Sequence, residues 1–78
     1  MSDIKETIRA AIVDKIPDAQ VVVDAGSGGH FTIQVVSPVF SGKNMVESQR
    51  LVYGAIAHLM KGDGAPVHAV DKLTTKVP

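Results

Sequence analysis

Apolar positions at the start of the chain recur every three or four residues. Ile4, Ile8, Ala11, Ile12 and Ile16 fall on one stripe at helical pitch, which predicts an amphipathic first helix. Asp3 with Glu6 three residues later resembles a capping box, an acceptor for the free amides at the helix start. Pro17 removes an amide donor and disfavours the helical conformation at Ile16, so the helix stops there.

The period then changes from helical to alternating. Ala19 to Ala25 carries the β-branched run Val21-Val22-Val23, and Gly26-Ser27-Gly28-Gly29 follows as a turn. From His30 to Val36, Phe31, Ile33 and Val35 alternate with Thr32, Gln34 and Val36, so the two runs read as a β-hairpin. Ser37 to Lys43 is a connector rich in turn residues. Asn44 with Glu47 is a second capping-box pattern, and Met45, Gln49, Val52, Ile56, Leu59 and Met60 then predict a second helical face ending near Lys61. Gly62-Asp63-Gly64 and Pro66 break that helix. Val67 to Leu73 reads as a last strand, with Val67, Ala69 and Asp71 facing one way and His68, Val70 and Lys72 the other. Thr74 to Pro78 is expected to be a frayed tail. The order α-β-β-α-β predicts one α+β domain over residues 1–78, with a core over about 3–73 and the helices packed on one face of a three-stranded sheet.

Composition narrows what such a domain could do. The chain has 78 residues, eight Lys+Arg, eight Asp+Glu, three His and no Cys. Without cysteine it can form no disulfide and supply no thiolate to a metal. Formal neutrality argues against a strongly electrostatic nucleic-acid binder. Residues 25–61 hold three basic residues against one acidic, a mild excess that suits a solvated face better than a binding patch. No apolar run approaches a membrane span. The mixed charges of the first fifteen residues do not suit a signal peptide, so the expected location is the cytoplasm, or an organelle after removal of a targeting segment.

Catalytic sets are absent from the pattern. Ser27, Ser37, Ser41 and Ser48 have ordinary turn or helix readings, and no nucleophile elbow or paired carboxylates appear, so an enzyme is not expected. Gly26 to Gly29 leads into a strand instead of a helix, and therefore lacks the converging amides of a phosphate loop. Ser41-Gly42-Lys43-Asn44 precedes a helix but lacks the other residues of a nucleotide-binding loop. Among the histidines, His58 lies off the main apolar stripe and reads as a solvated helix residue. His30 and His68 lie near strand ends. A lone strand histidine is usually a packed or hydrogen-bonded residue, and two imidazoles fall short of the about four ligands that zinc takes.

Four segments together resemble the BolA family. They are His30-Phe31 leading into Val35-Val36-Ser37, then Phe40-x-Gly42-Lys43, then Gln49-Arg50-Leu51-Val52-Tyr53, and finally Val67-His68-Ala69-Val70. The order and approximate spacing match the family's pattern of HF-x-I-x-VVS, F-x-GK, RHRLVY and IHAL, from residue 4 to about 70. The chain departs from it in two places. Ser48-Gln49-Arg50 stands where the family has its RHR segment, and Asp71 to Pro78 stands where members commonly continue into a Lys-Thr-x-Thr-Pro segment and a third helix. The usual C-terminal helix is therefore expected to be absent.

The resemblance implies a class II KH-like αββαβ fold and a non-enzymatic adaptor that partners a monothiol glutaredoxin. In such heterodimers a [2Fe-2S] cluster is shared, with thiolates from the glutaredoxin and its bound glutathione and imidazole from the BolA-like chain. The family's C-terminal histidine ligand maps onto His68. The second ligand comes from the loop between the first two strands, where His30 is the only nearby histidine. Imidazole is neutral, so its replacement of thiolate would raise the cluster potential, and ligation would weaken in acid. No cofactor is expected on the isolated chain. The alternative implied by the fold is a nucleic-acid-binding transcriptional regulator linked to stress response, with Lys43, Arg50 and Lys61 as contacts to DNA or RNA.

Overall fold

The computed structural model describes residues 3–62 and 64–78. Helix α1 (Ile4–Lys15) buries Ile8 and Ile12, with Ile16 closing its C-terminal end and Ile4 and Ala11 packed alongside. The five positions of the sequence stripe therefore all face the core. Asp3 caps the helix as expected, without a reciprocal bond from Glu6. The Asp3 carboxylate accepts from the amide of Lys5, and the Glu6 side chain turns to the Arg9 guanidinium instead of reaching back to Asp3. A carboxylate with a guanidinium one turn ahead gains a charge-assisted pair there, and no reciprocal box forms.

Strands β1 (Gln20–Ala25) and β2 (His30–Val36) pair antiparallel, from Gln20 opposite Val36 to Ala25 opposite Phe31. Phe31, Ile33 and Val35 are buried while His30, Thr32 and Gln34 are exposed, as the alternation requires of a sheet covered on one face. Helix α2 (Met45–Ile56) starts with a complete capping box: Asn44 accepts from the Glu47 amide at 2.8 Å, and Glu47 accepts from the Asn44 amide. The helix ends at Ile56 and tightens into a 3-10 turn over Ala57–Leu59, short of the expected end at Lys61. Its buried face is Ser48, Val52, Ala55 and Ile56; Met45 is 72% exposed and Gln49 half-buried. The packed face thus keeps Val52, Ile56, Leu59 and Met60 of the predicted stripe and adds Ser48 and Ala55, while Met45 stays outside it.

The last strand, β3 (Ala69–Lys76), lies parallel to β2 at the edge of a sheet ordered β1-β2-β3. Two expectations are corrected here. The segment 74–76 is strand rather than frayed tail: Thr74, Thr75 and Lys76 pair with Gln34, Val35 and Val36, and the Ser37 amide donates to the Lys76 carbonyl at 2.9 Å. The strict alternation predicted from Val67 onward also fails. A register shift falls between Phe31, opposite Val70, and Thr32, opposite Lys72, leaving Asp71 as the extra residue of a bulge. That extra residue is why Val70 and Leu73, three apart, both pack against the core.

The core gathers α1, α2 and the inward face of β2, with Phe40 from the connector and Val67 from the segment before β3. Both helices contribute to this single cluster, and the outward positions of β2 remain exposed, so the fold is α+β with helices on one side of a mixed sheet. No helix among the described residues is long and apolar enough to cross a membrane.

Candidate functional site

The parallel pairing of β2 and β3 brings His30 and His68 to the same end of the sheet. His30 opens β2 opposite Ala69, and the His68 amide donates to the Gly29 carbonyl at 2.9 Å. Both side chains are exposed. The Gly28–Gly29 backbone lies against the two rings. Both glycines have positive φ, 70° and 78°, within a 3-10 turn that joins the strands. A Cβ added at Gly28 would lie 3.7 Å from His30 Cδ2, whereas one at Gly29 would lie 2.2 Å from His68 Cδ2. The absence of a side chain at Gly29 is therefore what allows the His68 ring to rest on the loop backbone.

The bulge gives His30 a partner that the sequence did not point to. Its Nδ1 lies 2.8 Å from Asp71 Oδ1, and both side chains are about half exposed. An ionised carboxylate only accepts, so Nδ1 carries the hydrogen of this bond, and in the neutral form of the ring the free lone pair is then on Nε2. A histidine held in this way by a carboxylate presents one defined nitrogen outward, the arrangement that orients imidazole ligands in metal sites. Asp71 is 41 positions from His30 in the chain. A one-residue bulge has no signature in local periodicity, so nothing in the sequence could have paired them.

The donor set is chemically specific. Imidazole is a ligand type that borderline metals accept, and among the described residues no group of three or more His, Asp or Glu side chains could hold a metal ion. His58, on the 3-10 turn after α2, is exposed.

The basic residues considered for nucleic acid are arranged differently. Lys43 lies in the loop before α2 and lines a groove against β3; Arg50 is an exposed residue of α2, and Lys61 follows the 3-10 turn. Neither Arg50 nor Lys61 borders that groove. Gly26 to Gly29 joins two strands, whereas the G-x-x-G loop of KH modules clamps nucleotides from between helices.

Comparison with known proteins agrees with this architecture. The profile of the family described as BolA-like protein matches residues 6–78. The chain is 31% identical over 77 residues to Protein BOLA2 of Arabidopsis thaliana, spanning 95% of this chain and 78% of that protein. A bolA protein homologue from Coxiella burnetii superposes with a TM-score of 0.77 at 31% identity, over all of this chain and 94% of that one. BolA1 from Arabidopsis thaliana shares the fold, with a TM-score of 0.80 at 24% identity over all of this chain and 95% of its own.

Proposed function

Because the chain belongs to the BolA-like protein family, we propose that it is a non-enzymatic adaptor which partners a monothiol glutaredoxin and shares a [2Fe-2S] cluster with it, in iron–sulfur trafficking or iron and redox regulation. The observation that supports this reading is the pair of exposed imidazoles beside one glycine loop, one of them oriented by a carboxylate.

His68 and His30 would hold the cluster from this side, His30 through Nε2 because Nδ1 is engaged by Asp71. The thiolates come from the glutaredoxin and its bound glutathione, since this chain has no cysteine. When bound, the cluster supplies iron and sulfide for transfer and a redox couple whose potential neutral imidazole raises relative to thiolate. The chain's own contribution is positional. Gly29 leaves room for the His68 ring, the amide of His68 is tied to the Gly29 carbonyl, and Asp71 holds the His30 tautomer. Because imidazole ligates only when deprotonated, the shared site should loosen as the medium acidifies.

The test is anaerobic reconstitution of this chain with a monothiol glutaredoxin, glutathione, ferrous iron and sulfide. The visible spectrum and the mass of the complex are then read. A heterodimer carrying one cluster is expected, with a spectrum that changes in His68→Ala. A complex that never takes up a cluster overturns the proposal, as does a spectrum unaltered when both His68 and His30 are replaced by alanine.

A further inference from the structure

A second surface lies toward the opposite end of β3 from the histidines. A groove of about 500 Å³ runs between the start of α2 and the C-terminal half of β3. It is lined by every residue of 72–77 in succession. Successive side chains of a strand point to opposite faces, so a groove that meets all of them follows the strand's edge. β3 is the edge strand of the β1-β2-β3 sheet, and on its outer side the Leu73 carbonyl accepts from Gln49 Nε2 at 3.3 Å, a side chain that an added strand would displace.

The groove has an apolar floor and a basic rim. Phe40, Met45, Leu73 and Val77 provide the apolar part, with Met45 72% and Val77 51% exposed. Lys43, Lys72 and Lys76 line it as well, and among the described residues no acidic one does. The ion pairs among the described residues are Glu6 with Arg9 and His30 with Asp71, so these three lysines have no acidic partner there.

We propose that this edge binds an extended acidic segment of a partner protein, which adds as a fourth strand beside β3 with apolar side chains against Met45 and Leu73 and carboxylates against the lysines. Main-chain hydrogen bonds to an open edge supply affinity in this mode, and alternate side chains supply selectivity. The lysines also decide against a second copy of this chain as occupant. Two β3 edges brought together would juxtapose Lys72 and Lys76 with their counterparts, the device by which exposed edges avoid self-pairing. The surface needs neither iron nor a glutaredoxin, so it stands or falls apart from the cluster reading.

The probe is a short blocked peptide alternating Glu and Val, titrated into the isotope-labelled isolated chain and followed by amide shifts. Shifts are expected at residues 72–77 and at 45–49, weakening as salt is raised. Lys72→Glu with Lys76→Glu should weaken binding roughly tenfold or more. A peptide N-methylated at alternate residues on its pairing edge should lose binding, because it cannot complete the strand ladder. Equal binding of the methylated peptide overturns strand addition, and equal binding of a Lys-Val peptide overturns the acidic preference. No shift at saturating peptide, or shifts given instead by a single-stranded oligonucleotide, overturns the proposal outright. Concentration-dependent shifts at β3 without any peptide would assign the edge to a second copy and overturn it too.

Discussion

Gly29→Ala is the sharpest test of how the histidine end is built. Gly29 and Gly42 share the same φ of 78°, but their surroundings differ. At Gly42 an added Cβ meets nothing within 4 Å, so Gly42→Ala carries only the left-handed backbone cost, about 1–2 kcal/mol. At Gly29 the same atom would lie 2.2 Å from His68 Cδ2, 3.0 Å from Cγ and 3.2 Å from Cβ. Ordinary carbon contacts lie at about 3.5–4.0 Å, so the ring must move by more than an ångström. Rotation about χ1 relieves Cδ2 but leaves the His68 Cβ contact, so the backbone must yield as well. That strains the hydrogen bond from the His68 amide to the Gly29 carbonyl, which is 2.9 Å long. An off-rotamer ring and a weakened hydrogen bond add about 1–2 kcal/mol, for a total of about 2–4 kcal/mol. With a urea slope of about 1 kcal/mol per molar for so small a domain, Gly29→Ala should unfold about 1–2 M earlier than Gly42→Ala. Equal midpoints for the two variants, with His68 ring resonances unmoved in Gly29→Ala, would refute the packing of that ring on the loop.

Three further outcomes follow from the same structure. Ile33→Val removes one methylene from a fully buried position of β2 and should cost about 1 kcal/mol in urea unfolding; a loss under a few tenths would mean that the sheet–helix interface is not close-packed. Asn44→Ala breaks the capping box of α2 and should cost about 1 kcal/mol, with helicity falling by circular dichroism, whereas Asn44→Ser should recover most of it. The hydrogen bond and charge of Arg9 hold the Glu6 carboxyl below its ordinary value, so the pair's stabilisation is present above the unfolded-state pKa of 4.5 and is lost as pH falls through the lower folded value. Glu6→Gln should therefore be less stable than the parent at neutral pH and low salt, and the midpoints should converge in strong acid; a gap that widens in acid would contradict the assignment.

The elements that the sequence declared most clearly are those whose burial is one-sided. The Ile4-to-Ile16 stripe and the Phe31, Ile33, Val35 alternation repeat with the period of the backbone, and each buries one face against a single core. Local chemistry was legible where it needs only neighbours, as in the Asn44–Glu47 box. It was legible at Asp3 too, which accepts a free amide of the first turn, although Glu6 pairs with Arg9 and does not close a box. The face of α2 was legible at Val52, Ile56, Leu59 and Met60, and departs from the stripe where the small Ser48 and Ala55 are buried and Met45 is left outside.

By itself the sequence determined an α+β chain with two helices, a hairpin and a final strand, without a cysteine and with two histidines near strand ends. Periodicity and composition are properties of the chain alone, and they survive without knowledge of what lies opposite. Tertiary structure decided the rest, since each remaining feature joins residues far apart in the chain. Parallel pairing of β3 with β2 sets His68 beside Gly29 and turns 74–76 from an expected tail into strand. One bulge shifts the register, placing the Asp71 carboxylate on His30 while Leu73 returns to the core. The edge position of β3 leaves its outer side without a neighbouring strand, with only the Gln49 side chain on the Leu73 carbonyl, and sets beside it lysines that the neutral net charge conceals.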